Sequence, residues 1–207
     1  MRAPAQSTGG DTILSLLERG SRRFSQAISE GDGISVIVDV DGPDAARAAE
    51  ADGAEALVVR GALAGIREAT ELPILWCGGG TPDDARSAGA DAVLVVADTR
   101  DDDGDDLDAA AAHAAELGLD LVVSVSNDEV LERVLEQHDP ETFHLAADDL
   151  GRALELLTDV PVGKLAIAEA TNVTRGEIVE LERRGVDAVI VPARNVAELV
   201  GGAPPAV

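Results

Sequence analysis

Apolar residues along this chain come in short runs, and the runs recur. Between residues 34 and 200 they are Ile34–Val40, Ala56–Arg60, Ile74–Cys77, Ala92–Ala97, Leu121–Val125, Thr142–Leu145, Val162–Ala168 and Ala188–Val191. They are rich in Val, Ile and Leu and too short for helices. Amphipathic or alanine-rich stretches separate them. Strands alternating with helical patterns imply βαβ units and a parallel sheet. Eight such units predict an α/β protein, a compact closed (β/α)8 TIM barrel, whose functional groups stand at the carboxyl ends of its strands.

One further helix is predicted ahead of the barrel, over Asp11–Ile28. Its Ile13, Leu14, Leu16, Leu17, Phe24 and Ile28 fall mostly on one side, fit to cover the barrel's N-terminal end. The expected organisation is one domain over 1–207, with the leading helix at about 11–30, the barrel at about 34–200 and a tail at 201–207. Helix boundaries carry local signals. Thr81-Pro82-Asp83-Asp84 supplies an N-cap, a proline at the first helical position and acids in the first turn. Ser126…Glu129 and Thr174…Glu177 both fit a capping box. Ala88-Gly89-Ala90-Asp91 and Arg184-Gly185-Val186-Asp187 put glycine where a left-handed cap is needed. Ala51-Asp52-Gly53-Ala54 has the same order.

At 207 residues the chain is short for such a barrel, where about 250 is typical. Its connections must be near minimal. No stretch is apolar and long enough to cross a membrane, and Met1–Asp11 lacks the order of a signal peptide. Cys77 is the one cysteine, which excludes an intrachain disulfide and favours a cytoplasmic location. Forty acids against 16 bases give a net charge of −24. That field repels nucleic acid and anionic membranes, so neither is an expected partner. Salt adaptation or compositional bias explains it more simply than a cationic partner. Asp101–Asp106 lacks the spaced ligands and closing glutamate of a calcium loop and reads as a solvated loop before a helix. The sequence leaves the oligomeric state open.

Several segments together resemble the indole-3-glycerol-phosphate synthase family. Phe24-Ser25-Gln26-Ala27-Ile28 and Val36-Ile37-Val38-Asp39-Val40 are similar to its leading helix and first strand. Leu72-Pro73-Ile74-Leu75 is similar to its third strand and Ala88-Gly89-Ala90-Asp91-Ala92-Val93-Leu94 to its fourth. Leu117-Gly118-Leu119-Asp120 and Asp128-Glu129-Val130-Leu131 flank a similar fifth strand. Ile167-Ala168-Glu169 resembles the seventh, and Gly185-Val186-Asp187-Ala188-Val189-Ile190-Val191 the eighth. The resemblance covers residues 24–200 in one register. It implies a phosphate-binding barrel, and a lyase of tryptophan biosynthesis that closes an indole ring by decarboxylation and dehydration.

The residues that the family uses are mostly replaced. Its first strand carries a glutamate and then a lysine, where this chain has Asp39 and Asp41. Its third strand ends in arginine-lysine-aspartate, with the lysine as general acid, where this chain has Trp76-Cys77-Gly78. A neutral thiol cannot replace an ammonium in stabilising developing negative charge. The fifth-strand glutamate becomes Ser124, and the sixth-strand asparagine and arginine become Ala146 and Asp148. Glu169 alone survives, beside Ala170. The phosphate-binding end of the eighth strand becomes Pro192-Ala193-Arg194, and Pro192 removes a backbone donor. No phosphate-binding residue, no metal ligand set and no cofactor is therefore assigned.

In the register that the resemblance implies, strand alternation places Asp39, Cys77, Ser124, Ala146 and Glu169 facing inward near the mouth, with Asp41, Ser126 and Asp148 just above. Arg60, Asp98 and His144 are further candidates. The catalytic candidates are Glu169 and Asp39. Asp41, Cys77, Ser124 and His144 are candidates for binding a small molecule at the mouth. The plainer alternatives are that Asp41 and Ser126 cap helices, and that Asp39 and Glu169 pair with Arg60 or Lys164. Gly78-Gly79-Gly80 reads as a tight turn rather than an anion nest, because Asp83 and Asp84 already occupy the next helix's positive end. Cys77 reads as a buried, inert thiol, Trp76 as core between sheet and helices, and His113 and His138 as helix surface. Three functions remain open. The first is a synthase-like barrel that has lost the synthase chemistry and binds a small molecule or has no catalytic role. The second is a true synthase, and the third a different enzyme using Glu169 and Asp39 as acid and base.

Overall fold

The computed structural model describes residues 24–30, 33–62, 64–97, 103–147 and 149–200, with the backbone alone at 103–106. The expected barrel is present. Its strands are β1 (Ser35–Asp39), β2 (Ala56–Val59), β3 (Ile74–Trp76), β4 (Ala92–Val96), β5 (Asp120–Val125), β6 (Thr142–Leu145), β7 (Leu165–Glu169) and β8 (Ala188–Pro192). Each pairs in parallel with the next, and β8 returns to β1, from Ser35 opposite Ala188 to Asp39 opposite Pro192. The helices are α1 (Phe24–Ser29), α2 (Pro43–Ala51), α3 (Pro82–Ala88), α4 (Asp103–Glu116), α5 (Asp128–Gln137), α6 (Leu150–Leu157), α7 (Arg175–Arg184) and α8 (Val196–Val200). Among the described residues the β2–β3 connection carries only a 3-10 turn, Arg67–Ala69, which keeps the crossover short.

Period-two alternation divides the apolar strand residues between two layers. Ile37, Val58, Leu75, Ala92, Val122, Ile167 and Ile190 fill the barrel interior. Their neighbours Val36, Val38, Leu57, Val59, Val123, Val189 and Val191 pack outward against the helices. Because both faces are buried, the strands read as near-continuous apolar runs. Phe24 and Ile28 of α1 join the interior cluster and close its N-terminal end. The Asp120 carboxylate anchors this helix by accepting both the Ser25 N–H and its hydroxyl at 2.8 Å. The expected first part of the leading helix, over 11–23, and the tail 201–207 lie outside the described residues.

The recurring glycine–apolar–acid junctions have a physical role. Gly89 and Gly185 end α3 and α7 at φ of 87° and 95°. Two residues later, Asp91 accepts the Ile74 N–H at 2.9 Å and Asp187 accepts the Ala166 N–H at 2.8 Å. Each acid thereby ties the start of its strand to the preceding one. Thr81 with Asp84 and Thr174 with Glu177 form full capping boxes. These bonds hold the carboxyls of Asp84 and Glu177 below their usual range.

Four local expectations change. The α5 cap is Asn127, whose side chain accepts from the Val130 N–H. Ser126 lies one residue too early to reach it and instead accepts from the Asn127 amide at 3.3 Å. The α2 cap is Gly42, with no side-chain bond, so Asp41 caps nothing. Strand β7 starts at Leu165 rather than Val162, because the preceding segment turns at Gly163 (φ 96°) and leaves Val162 fully exposed. The acidic run is not all loop, since residues 103–106 form the first turn of α4, where a helix N-terminus favours acids.

Candidate functional site

The carboxyl ends of β1, β2 and β7 meet in a three-residue ion pair. Asp39 and Glu169 are the last residues of their strands, and Arg60 directly follows β2. Arg60 Nε donates to Asp39 Oδ2 at 2.7 Å and its Nη2 donates to Glu169 Oε2 at 2.8 Å. All three side chains are partly exposed, at 43 % for Arg60, 33 % for Asp39 and 34 % for Glu169. Both candidate acids thus share one guanidinium. Arg60 is the partner; Lys164 instead holds Asp139 at 2.9 Å, ahead of β7.

A second chain of contacts runs into the sheet. Ser124 and His144 sit opposite each other on β5 and β6, both buried. Ser124 Oγ lies 3.0 Å from His144 Nδ1. His144 Nε2 lies 3.5 Å from Glu169 Oε2, at the outer limit of a hydrogen bond, and has no bonded partner among the described residues. The sequence brought Ser124 and His144 forward as separate candidates; parallel register makes them a pair.

Protonation follows from these contacts. Arg60 loses stability as a cation through partial burial, but its bonds to Asp39 and Glu169 outweigh this and raise its pKa. The His144 ring is the largest influence lowering the Glu169 carboxyl below its usual range; partial burial opposes it, and Arg60 adds to it. The 2.8 Å bond from Arg60 is the shorter and firmer of the two contacts. Burial pushes the Cys77 thiol up to about 12, only partly countered by Arg60 and reinforced by the two carboxylates. The mouth therefore holds a Glu169 carboxyl that favours its ionised form, a guanidinium shared with Asp39 and a neutral thiol.

Other candidates stand apart. Asp41 is exposed beyond the end of β1 and joins none of these contacts. Asp98 and Asp148 lie outside the described residues. Ala146 is half-buried just past β6. Gly78–Gly80 form a turn beneath Trp76, whose Nε1 donates to Gly61 O at 3.1 Å. A Cβ on Gly78 would lie 2.7 Å from the indole Cε2. The Asp84 carboxylate accepts the Thr81 N–H at 2.9 Å and so already sits at the N-terminus of α3. Trp76 is half-buried against the outer core rather than enclosed in it. Among the described residues no His, Cys, Asp and Glu side chains group as three or more potential metal ligands.

A cleft of about 430 Å³ lies between the loops after β7 and β8, lined in part by Thr171, Asn172, Arg175, Pro192, Arg194 and Asn195. Its arginines are engaged by the protein. Arg194 Nη2 donates to Thr171 O at 2.9 Å and Asn172 Oδ1 at 3.0 Å, and Arg175 donates to Leu199 O. Two contacts escaped the sequence reading altogether. His113 lies 3.0 Å from Asp83, joining α4 to α3, and His138 lies 2.7 Å from Asp108, joining the end of α5 to α4. Helix-surface spacing alone does not show which neighbour a histidine meets.

No family model matches the chain. Solved structures do resemble it. The N-acetylmannosamine-6-phosphate 2-epimerase of Clostridium perfringens matches with TM-score 0.64 and 16 % identity over 79 % of this chain and 87 % of that one. A tryptophan synthase α-subunit of Pyrococcus furiosus matches with TM-score 0.60 and 16 % identity over 82 % and 98 %. The sialic acid aldolase of Ruminococcus gnavus matches with TM-score 0.55 and 10 % identity over 80 % and 70 %. At these identities the likeness establishes the barrel fold and leaves the reaction to be argued from the site. No helix among the described residues is long and apolar enough to cross a membrane.

Proposed function

We propose that this chain is a compact barrel of the indole-3-glycerol-phosphate synthase type that has lost the synthase chemistry and keeps a small-molecule site at its mouth. The observation that carries this is the Asp39–Arg60–Glu169 bridge. Ring closure needs an acid at the substrate carbonyl, a proton acceptor and a grip on the phosphate. Cys77 stands where the resemblance expects the acid, and its thiol, at about 12, neither carries positive charge nor gives up its proton readily. Glu169, held ionised, is a poor proton donor. Pro192 ends β8 without a backbone donor. Acid–base roles are worth about 10²–10⁴-fold each and lost charge-stabilising donors about 10²–10³-fold. Losing several together puts turnover below detection, even with non-additivity.

The reading in which Glu169 and Asp39 act as acid and base has less support. Such a pair works when environments drive the two carboxyls apart, whereas here one guanidinium binds both. The test is to supply carboxyphenylamino-deoxyribulose phosphate and follow indole fluorescence. No turnover is expected. Saturable turnover that disappears in Glu169→Gln would establish a true synthase instead.

A further inference from the structure

We infer that the mouth takes a neutral polyhydroxylated ligand, with neighbouring hydroxyls seated against Arg60 and the free carboxylate oxygens of Asp39 and Glu169. This rests on the reading of the mouth as a small-molecule site and names its ligand class.

The inference starts from the unused hydrogen-bonding capacity. Arg60 uses Nε and Nη2 within the protein, and its Nη1 has no partner among the described residues. Asp39 uses Oδ2 and Glu169 uses Oε2, which leaves Oδ1 and Oε1 without partners among the described residues. A guanidinium edge therefore lies between two free acceptors, on side chains that are each a third or more exposed. A hydroxyl both donates and accepts. One hydroxyl of a diol can accept from Nη1 while it and its neighbour donate to the carboxylates.

Charge selects among ligands that could use these atoms. Two carboxylates and one guanidinium leave the cluster at −1, within a chain of net charge −24. An anion meets repulsion from both the cluster and the whole-protein field. A cation on the free Oδ1 and Oε1 stands beside the like charge of Arg60, which bonds the other oxygen of each carboxylate. A neutral ligand avoids both costs. Val96 adds an apolar surface: it has the inward parity of Ala92 and Leu94 on β4, stands opposite Ser124 in register and is exposed. The C–H face of a cyclic polyol suits such a wall.

His144 faces Glu169 from inside the barrel. A Ser124 hydroxyl that donates to Nδ1 assigns the ring proton to Nε2, facing Glu169 Oε2 across 3.5 Å. That nitrogen is buried and unpartnered. A ligand hydroxyl on Oε1 and the His144 ring beside Oε2 then hold the same carboxylate from two sides. His144 and Ser124 are thus positioning residues that act through Glu169.

The experiment uses the full chain in calorimetric and NMR titrations. D-glucose and myo-inositol are the neutral probes, glucosamine the cationic one and glucose 6-phosphate the anionic one. At least one neutral probe should bind saturably, at least tenfold tighter than glucose 6-phosphate at low salt, with little change up to molar sodium chloride. Asp39→Asn and Glu169→Gln should each weaken it at least fivefold. His144→Phe should weaken it while leaving the preference for neutral over charged probes intact. Should a variant fail to fold, the ranking of the four probes on the native chain decides alone. Tighter binding of either charged probe, or no binding of both neutral ones, overturns the inference. Neither outcome touches the loss of synthase chemistry, which only turnover in the fluorescence assay would overturn.

Discussion

Asp187 accepts the backbone N–H of Ala166 at 2.8 Å, so a carboxylate fastens the start of β8 to β7. Burial raises its pKa above the ordinary 3.8, and the Ala166 N–H only partly offsets this. The folded chain therefore holds the Asp187 proton more tightly than the unfolded chain. The resulting stability is fully present below the unfolded value and is lost as pH rises through the folded one. Asp187→Asn keeps an acceptor for Ala166 and removes that pH dependence. Relative to the parent chain, the variant should gain thermal stability between pH 4 and pH 7. Paired melting curves at the two values check this; a constant or reversed difference would overturn it.

Salt should stabilise the whole molecule. Forty acids against 16 bases repel one another in the compact state, and the screening length falls from about 10 Å at 0.1 M to about 3 Å at 1 M. Melting temperatures measured from low to molar sodium chloride should rise. A flat or falling series would mean that local ion pairs, such as Arg152 with Asp128 and Glu155, outweigh the general repulsion.

The glycine turn after β3 makes a sharper prediction. A Cβ at Gly78 would press into the Trp76 indole, whereas a Cβ at Gly79 would meet nothing within 4 Å. Gly79 has φ of 71°, so Gly79→Ala is strained through its backbone alone. Gly78→Ala must displace the ring and break its bond to Gly61 O. Overpacking of this kind costs about 1–3 kcal/mol. Because Trp76 is the one tryptophan, Gly78→Ala should red-shift the protein's fluorescence while Gly79→Ala leaves it in place. Equal spectra for the two would show that the ring does not rest on Gly78.

How far these features were legible in the sequence depends on their range. The strands were legible because both faces are buried and the residues are apolar throughout. The rim positions of Asp39 and Glu169 followed from period-two alternation read in the register of the family resemblance. The bridge did not, because Arg60 spans to a residue 109 positions away, and only barrel closure brings β2 and β7 so near. Arg60 and Lys164 were equal partners on paper; topology chose between them. The error at Ser126 was smaller in scale. Ser126 and Asn127 are both competent caps, and a one-residue difference in where α5 begins decides between them. At Val162 apolar character misled, since Pro161 and Gly163 on either side turn the chain before the ladder starts.

Arg60 itself can be tested for what it holds together. Its two pairs are partly exposed, and such pairs contribute about 0.2–1 kcal/mol each. Arg60→Ala should therefore cost about 1 kcal/mol, and it also leaves Asp39 and Glu169 facing each other uncompensated. Arg60→Lys should recover less than half of that loss, because an ammonium lacks the planar fork that meets both carboxylates at once. Urea unfolding of the three proteins measures this, and full recovery by lysine would mean that charge alone matters there.

Cys77 separates a reactive mouth from an inert one. With its thiol at about 12, about one molecule in 10⁴ carries the thiolate at pH 8, against roughly one in ten for an ordinary cysteine; the thiolate is the reacting species. Iodoacetamide should therefore modify the native chain more than tenfold more slowly than the urea-unfolded chain at the same pH, since the greater nucleophilicity of a high-pKa thiolate offsets only part of its scarcity. Among the described residues Arg60 is the one neighbour that lowers this pKa, while Asp39 and Glu169 raise it. Arg60→Ala should slow the reaction further rather than speed it, even though it opens space beside the sulfur. A catalytic thiol would behave differently, reacting in the native chain at least as fast as in the unfolded one. Native reactivity within tenfold of the unfolded value would return Cys77 to the nucleophile candidates and weaken the case against acid–base chemistry at this mouth.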